Sequence, residues 1–179
     1  MIKLNCAEIA LMLDGALTGH NVSISNVSTD SRVIGEHDLF IALKGPNFDG
    51  SAFVADVKEK GAAAVVVEQA VAVDIPQIIV QDTRLALGQL AAAVKARLAP
   101  KTIAVTGSAG KTTVKEMMAA ILSRRGTVLA TQGNFNNDIG VPLTMLRLSE
   151  QHQYAVLELG ANHQGEIAYT TSLAKPDVA

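Results

Sequence analysis

The sequence predicts an α/β fold: a small mixed α/β domain over residues 1–82, followed by the beginning of a parallel-sheet domain over residues 83–179. Three observations support this prediction. Hydrophobic residues make up 49% of the chain and charged residues 18%, as in proteins with a folded core. Apolar runs of strand length alternate with segments of helical periodicity. In the second half, a glycine-containing turn joins one such run to a helical segment.

The elements of the first domain follow from capping residues and apolar runs. Asn5 and Glu8 have the spacing of a capping box, which opens a short helix that Gly15 should end. Ser51 should cap a helix that ends at Lys60, with Gly61 in the left-handed stop position. Branched and aliphatic residues predict three strands, over residues 39–43, 63–67 and 77–80.

The second domain begins with a helix that Asp82 should cap. One buried face of this helix is predicted from apolar residues at helical spacing, namely Leu87, Leu90, Val94 and Leu98. Pro100 should end it. Strands are predicted over residues 102–105 and 154–159, and helices over residues 112–124 and 164–173. This alternation favours parallel strands with crossover helices, and we place the domain boundary near Asp82 although no flexible linker marks it.

Composition excludes several classes of function. The formal net charge is −2, aromatic residues are only 3% of the chain, and no basic run is present, so nucleic-acid binding is not expected. The apolar runs are too short to cross a bilayer, and no signal peptide is evident, so we expect no membrane insertion. The one cysteine, Cys6, lies in an apolar pattern and is expected to be a buried thiol, which suits a cytoplasmic protein.

The most informative segment is the predicted phosphate loop, residues 106–113, with the sequence Thr-Gly-Ser-Ala-Gly-Lys-Thr-Thr. It follows a strand and opens a helix, so backbone N–H groups and the helix dipole would surround phosphate oxygens. Lys111 would neutralise the β- and γ-phosphates of ATP, and Thr112 would bind Mg²⁺ through its hydroxyl. The candidate nucleotide-binding residues here are Gly107, Ser108, Ala109, Gly110, Lys111, Thr112 and Thr113. The alternative is an ordinary surface turn.

A second strand ends in an acid, as a metal ion beside a phosphate loop requires. Residues 154–158 have the sequence Tyr-Ala-Val-Leu-Glu, so Glu158 is the candidate Mg²⁺ ligand, directly or through water. The alternative is a glutamate that is merely exposed at a strand end. If the strand lies beside the phosphate loop, the metal role is favoured.

Two loops near these strands contain further candidates. Asn136 and Asn137 lie in a polar segment after Gly133, and ligands bind in loops at the carboxyl ends of parallel strands. They could therefore contact nucleotide or substrate. His163 follows the Glu158 strand and is a candidate catalytic residue. A lone histidine is just as often a structural hydrogen-bonding group.

Several motifs, in order, resemble the Mur ligase family. They include residues 29–32 (Thr-Asp-Ser-Arg), 39–45 (Leu-Phe-Ile-Ala-Leu-Lys-Gly), 48–50 (Phe-Asp-Gly) and the phosphate loop. The first glycine of the general phosphate-loop pattern is replaced by Val105, as in Mur ligases and folylpolyglutamate synthases. Residues 158–167 (Glu-Leu-Gly-Ala-Asn-His-Gln-Gly-Glu-Ile) are similar in particular to members that add D-alanyl-D-alanine.

The resemblance implies an activity and partners. ATP would phosphorylate a carboxylate of UDP-N-acetylmuramoyl-tripeptide, and the amine of D-alanyl-D-alanine would attack the acyl phosphate to give an amide. The resemblance also implies a UDP-sugar site formed by Asp30, Ser31, Arg32, Lys44, Gly45 and Asp49. The alternative is structural: Asp30 or Ser31 caps a turn, and Arg32 pairs with an acid.

The resemblance further implies that the 179 residues are part of a longer enzyme, monomeric when complete. Family members carry a further metal-ligand histidine, a carbamylated lysine and a C-terminal domain for the amine substrate. We therefore expect the chain alone to be inactive and prone to associate. Two other hypotheses stay open. One is a folylpolyglutamate synthase-like ligase, which the Asp-Ser-Arg and Leu-Lys-Gly segments argue against. The other is a nucleotide-binding module that acts by itself.

Overall fold

The computed structural model describes residues 3–45 and 47–179, which divide into two compact units, Met1–Leu90 and Ala91–Ala179. The division falls within a long helix, beyond Asp82. Among the described residues, none of the helices is long and apolar enough to cross a membrane.

The first unit contains nine strands, two short helices and the first half of the long helix Thr83–Leu98 among its described residues. The strands are β1 Leu4–Asn5, β2 Ala16–Thr18, β3 Ser23–Ile24, β4 Asn26–Ser28, β5 Asp38–Ile41, β6 Lys44–Gly45, β7 Phe48–Asp49, β8 Ala64–Val67 and β9 Gln77–Ile79. The helices are α1 Cys6–Met12 and α2 Val54–Glu59, and a 3₁₀ turn, Gly50–Phe53, precedes α2.

Five of these strands form the main sheet, in the order β2-β9-β8-β5-β4. The pairs from β9 to β4 are parallel, and β2 joins antiparallel to β9. Every residue of β5 and β8 is buried, as expected for parallel strands that are covered on both faces. Residues of α2 pack on one face together with Phe40 and Val65. Two further antiparallel pairs, β1-β3 and the hairpin β6-β7, lie outside this sheet.

The second unit is built on a three-stranded parallel sheet. Its elements are α3 Thr83–Leu98 from Ala91 onward, β10 Lys101–Val105, α4 Lys111–Leu122, β11 Val128–Ala130, α5 Gly140–Leu146, β12 Tyr154–Glu158 and α6 Glu166–Ala174. β12 lies between β10 and β11, and both pairs are parallel. Val178 adds a parallel bridge to Ile103 on the outer side of β10. Helices therefore connect successive parallel strands, and the predicted α/β fold class is confirmed.

Local sequence accounts for most element ends, with two corrections. The Asn5–Glu8 capping box is present, with the Glu8 N–H donating to Asn5 Oδ1 over 2.9 Å. The predicted stop at Gly15 is wrong, because Asp14 adopts the left-handed conformation after this helix, with φ of +49°. Gly15 has a different role: a Cβ there would lie 3.0 Å from Ile78 Cγ2 and from the carbonyl oxygen of Ile79.

The second correction concerns Ser51, which does not cap a helix. The chain first forms the 3₁₀ turn, and the Asp49 carboxylate accepts a hydrogen bond from the Ser51 N–H over 2.9 Å. A carboxylate directly before the turn reaches that N–H group without a change of backbone conformation. The predicted stop at Gly61 is confirmed, with φ of +95°. Asp82 caps α3 as predicted, accepting from the N–H groups of Arg84 and Leu85 over 2.8 Å each.

Candidate nucleotide and metal site

The phosphate loop connects β10 to α4 and is exposed along its glycine-containing turn. Gly107 and Gly110 have φ of +147° and +76°, values that side chains disfavour. A Cβ at Gly110 would have open space around it, so its backbone conformation is what requires glycine. Gly110 stands immediately before α4, whose first N–H groups thus face the turn. These groups and the helix dipole make the turn suitable for an anion.

Lys111 is the first residue of α4, and its side chain folds back over the turn. Its ammonium group donates a hydrogen bond to the carbonyl oxygen of Gly107 over 2.8 Å. The ammonium group of Lys111 therefore already lies across the loop, where it could neutralise the phosphate of a bound nucleotide. Ser108, Ala109 and Thr113 are exposed around it.

Glu158 lies at the end of β12, directly opposite Val105 at the end of β10. Its side chain is only 2% exposed, so its carboxylate is buried rather than free at a strand end. Thr112 donates its hydroxyl hydrogen to Glu158 Oε2 over 2.9 Å, and the Asn136 amide donates to Oε1 over 2.9 Å. One carboxylate thus joins the phosphate-loop helix to the loop that follows β11.

The backbone of Glu158 is held by the residue that directly follows β11. Its N–H donates to the hydroxyl oxygen of Thr131 over 3.0 Å, and Thr131 is itself buried. Asn136 is held through its carbonyl oxygen, which accepts from the Gly160 N–H over 2.7 Å. Sequence reasoning did not identify Thr131 or Gly160. The sequence indicates a role for them only by position: Thr131 directly follows a short strand, and Gly160 comes two residues after Glu158.

The remaining predicted residues of this unit lie near the cluster but have local partners. Asn137 Oδ1 accepts from the Gly140 N–H over 2.7 Å, at the start of α5. His163 is 82% exposed, and its Nδ1 lies 2.9 Å from Glu166 Oε1. The pKa of Glu166 is lowered, first by the Asn162 N–H and then by the His163 ring. The structure thus brings Thr112, Asn136 and Glu158 together and places His163 on the surface.

The oxygen atoms of Glu158 and of its neighbour Thr112 are suitable ligands for a magnesium ion. Mg²⁺ prefers oxygen ligands, and in nucleotide sites it uses one or two carboxylates together with phosphates and water. Here the carboxylate of Glu158 and the hydroxyl of Thr112 lie side by side at the phosphate loop. Within residues 3–45 and 47–179, no group of three or more His, Cys, Asp or Glu side chains could hold a metal ion by itself. Nucleotide phosphates would have to complete the coordination.

In the first unit, the predicted UDP-sugar residues line two pockets. Asp30, Ser31 and Arg32 line a pocket of about 390 Å³ together with three aromatic side chains, Phe40, Phe48 and Phe53. The rings of Phe48 and Phe53 stack with centroids 5.8 Å apart. Lys44 and Asp49 line a second pocket, opposite each other on the β6-β7 hairpin. Gly45 lies on the same hairpin, paired with Phe48, and is not among the residues that line either pocket.

Charges in both pockets are already paired within the chain. Arg32 holds Asp30 through two hydrogen bonds, Nε to Oδ1 over 2.8 Å and Nη2 to Oδ2 over 2.7 Å. This contact lowers the pKa of Asp30 to about 2. Lys44 Nζ lies 4.0 Å from Asp49 and 3.9 Å from Glu68. The Ser51 hydrogen bond, more than Lys44, lowers the pKa of Asp49. The structural alternative for Asp30 and Arg32, a turn with an ion pair, is therefore observed.

Comparison with protein-family models places both units in one family. Residues 105–179 match the Mur ligase middle domain, and residues 23–95 match the catalytic domain of the Mur ligase family. The chain belongs to the Mur ligase family. The resemblance inferred from the motifs is thereby confirmed.

Two curated relatives of this Mur ligase chain are UDP-N-acetylmuramoyl-tripeptide--D-alanyl-D-alanine ligases. That of Escherichia coli (strain K12) is 50% identical over 179 residues, which are 100% of this chain and 40% of the relative. That of Bacillus subtilis (strain 168) is 45% identical over 186 residues, with the same shares covered. The chain spans about 40% of the length of these curated relatives.

Solved structures agree with this assignment to the Mur ligases. A crystal structure of MurF from Acinetobacter baumannii matches with a TM-score of 0.94 and 46% identity, covering 98% of this chain and 40% of that one. MurF ligase from Thermotoga maritima, in complex with ADP, matches with a TM-score of 0.77 and 34% identity, covering 86% of this chain and 36% of that one.

Proposed function

We propose that this chain provides the nucleotide site and the UDP-sugar site of an ATP-dependent ligase that joins D-alanyl-D-alanine to UDP-N-acetylmuramoyl-tripeptide. The observation that carries this proposal is the buried Glu158 carboxylate bonded to Thr112 beside the phosphate loop. Curated relatives at up to 50% identity bear the name of that ligase, and a related structure is described in complex with ADP. We place the enzyme in the cytoplasm, where nucleotide substrates are found.

The phosphate loop would bind the β- and γ-phosphates of ATP. N–H groups at the start of α4 donate to the phosphate oxygens, and Lys111 exchanges the Gly107 carbonyl for the more strongly charged phosphate. Ser108, Ala109, Gly110 and Thr113 surround the bound phosphates. Asn137, through its cap on the α5 turn, holds the loop from which Asn136 projects.

Thr112 and Glu158 would hold Mg²⁺, which neutralises charge on the phosphates during phosphoryl transfer. The Thr112 hydroxyl donates to the carboxylate, so both lone pairs of its oxygen stay available for a cation. Asn136 keeps the other carboxylate oxygen in place. The carboxylate is thus oriented before any ion arrives, which favours catalysis because no reorganisation is then needed.

The reaction itself needs both substrates. A substrate carboxylate attacks the γ-phosphorus of ATP, ADP leaves, and an acyl phosphate forms. The amine of D-alanyl-D-alanine then attacks the acyl carbon, and inorganic phosphate leaves as the amide bond forms. His163 is exposed beyond the Glu158 strand, and we keep it as the candidate residue that contacts the reacting groups.

The UDP-sugar would occupy the first unit. The aromatic pocket beside Asp30, Ser31 and Arg32 suits the uracil ring, since stacked rings and polar groups line it together. Lys44 in the neighbouring pocket suits the diphosphate, with Gly45 and Asp49 shaping the hairpin around it. On this basis residues 1–82 form the UDP-sugar domain, and residues 83–179 form the beginning of the ATP-binding domain.

Calorimetric titration of the chain with ADP and MgCl₂ tests the nucleotide site. We expect one molecule of ADP per chain. Lys111→Ala should weaken binding about ten-fold or more, because a hydrogen bond to a charged group contributes about 1.5–3 kcal/mol. Arg125→Ala is the matched control, since it removes one positive charge beyond the other end of α4. Undiminished binding by the Lys111 variant would refute the site.

Titration with a UDP-N-acetylmuramoyl peptide and with a folate tests the substrate class. We expect binding of the UDP-sugar alone. Binding of the folate without the UDP-sugar would favour a folylpolyglutamate synthase-like ligase instead.

A further inference from the structure

Lys115 is a buried lysine that the proposed phosphate chemistry does not use. It lies three residues after Thr112 on α4, and its side chain is 1% exposed. Its ammonium group donates to the carbonyl oxygen of Thr131 over 2.7 Å. It also pairs with Glu116 Oε1 over 2.6 Å, although the Glu116 side chain is 66% exposed.

Thr131 connects Lys115 to the metal candidate. It directly follows β11, and its hydroxyl oxygen accepts the N–H of Glu158 over 3.0 Å. Its own N–H donates to the carbonyl oxygen of Val156, on the same strand as Glu158. Lys115 therefore fixes the phosphate-loop helix to the residue that holds the backbone of Glu158.

Stability alone does not explain a lysine at this position. Removing an ammonium group from water is costly, and an ion pair with an acid as exposed as Glu116 contributes little to stability. Ala119 and Leu122, at helical spacing from Lys115, are partly buried apolar residues. A methionine or leucine would satisfy the packing of this face without the cost of burying a charge.

We infer that Lys115 is a positioning residue for the metal site. Through Thr131 it sets the separation between the Thr112 hydroxyl, on its own helix, and the Glu158 carboxylate, on β12. Both groups must reach one Mg²⁺ ion, so the spacing of these two elements determines how well the ion is bound. This inference rests on the proposed nucleotide function, because it concerns the ion that function requires.

The test measures how much Mg²⁺ strengthens ADP binding, as the ratio of the Kd in EDTA to the Kd in MgCl₂. Lys115→Met retains the length of the side chain and removes the charge. We expect this ratio to fall about ten-fold, the low end of the loss seen when the partner of a metal ligand is removed. Binding of ADP in EDTA, which depends on the phosphate loop, should change by less than about two-fold. Lys115→Arg, which keeps a cation and a donor, should recover part of the ratio.

Two further variants make the outcome decisive. Thr131→Val keeps the shape of the side chain, removes the acceptor of the Glu158 N–H, and should lower the ratio similarly, even if the Lys115 variant does not fold. Leu148→Ala removes a buried side chain outside the elements of the site, so it should lower stability and leave the ratio unchanged. If Glu158→Gln abolishes the Mg²⁺ effect while folded Lys115→Met and Thr131→Val keep it, the positioning role is refuted. If the unaltered chain binds no ADP, the proposed function itself fails.

Discussion

Gly160 and Asn136 approach each other so closely that no side chain fits between them. The Gly160 N–H donates to the carbonyl oxygen of Asn136 over 2.7 Å. A Cβ on Gly160 would lie 2.9 Å from Asn136 Cγ and 3.0 Å from Nδ2. That amide nitrogen is the one that donates to Glu158, so the absence of a side chain at residue 160 keeps the carboxylate in place.

Gly160→Ala should therefore displace the Asn136 amide from Glu158. We expect the free energy of unfolding to fall by about 1–3 kcal/mol, typical of overpacking. Mg²⁺-dependent ADP binding should weaken as well. Gly35→Ala is the control, because a Cβ there would have only one neighbour, at an ordinary 3.7 Å. Urea denaturation and calorimetry measure the two effects, and an unchanged Mg²⁺ dependence in a folded variant would contradict the packing argument.

Glu158→Gln keeps the size of the side chain and removes its charge. We expect the Mg²⁺-dependent gain in ADP affinity to fall roughly ten-fold or more, since a neutral amide is a much poorer ligand for Mg²⁺ than a carboxylate. ADP binding in EDTA should stay unchanged or strengthen, because a negative charge near the phosphates is lost. Glu150→Gln, on an exposed turn, is the control. Equal Mg²⁺ dependence in both variants would remove Glu158 from the metal site.

Arg32→Ala should raise the pKa of Asp30 from about 2 toward its ordinary 3.8, because the guanidinium hydrogen bond is the largest cause of the lowered value. A lowered pKa stabilises the folded chain above the ordinary pKa, and this contribution is lost as the pH falls toward 2. The free energy of unfolding of the variant should therefore depend less on pH in this acidic range. Carboxyl ¹³C NMR titration measures the pKa directly. Lys60→Ala is the matched comparison and should raise the pKa less, since Lys60 is the weakest of the causes.

Asp82→Ala tests the cap of α3. The carboxylate accepts from two N–H groups, those of Arg84 and Leu85, and removing it should lower the free energy of unfolding by about 1 kcal/mol. Asp82→Asn retains an acceptor and should preserve most of the stability. Chemical denaturation compares the three proteins. If alanine and asparagine were equally destabilising, charge rather than capping would explain the role of Asp82.

The elements with strong local determinants were predictable from sequence. The strand at residues 102–105, the phosphate loop and the strand ending in Glu158 were all predicted, and the structure pairs these two strands. Strands β2, β4 and β11 were missed because each has only three residues and lacks the run of β-branched residues that marks β9. Helix α5 was missed because it begins with glycine and contains Pro142, which only the first turn of a helix accommodates.

The site was partly predictable for a related reason. Thr112 and Glu158 have recognisable positions in sequence, at a helix start and a strand end. The contacts of Thr131 and Gly160 depend on how three parallel strands are arranged, which no local pattern specifies. Lys115 could have been noticed, because it stands where helical periodicity places an apolar residue before Ala119 and Leu122. Its partner, a backbone carbonyl, could not have been identified from sequence.

The burial of Cys6 makes it possible to label the loop that contains Asn136 with a single dye. It is the only cysteine in the sequence, it is fully buried, and burial raises the pKa of its thiol. Thiolates react and buried thiols are inert, so maleimide dyes should leave the folded chain unlabelled. A cysteine introduced for Phe135, which is 49% exposed and precedes Asn136, would then carry a single fluorophore. Its emission could report in real time whether that loop moves when ADP and Mg²⁺ are added.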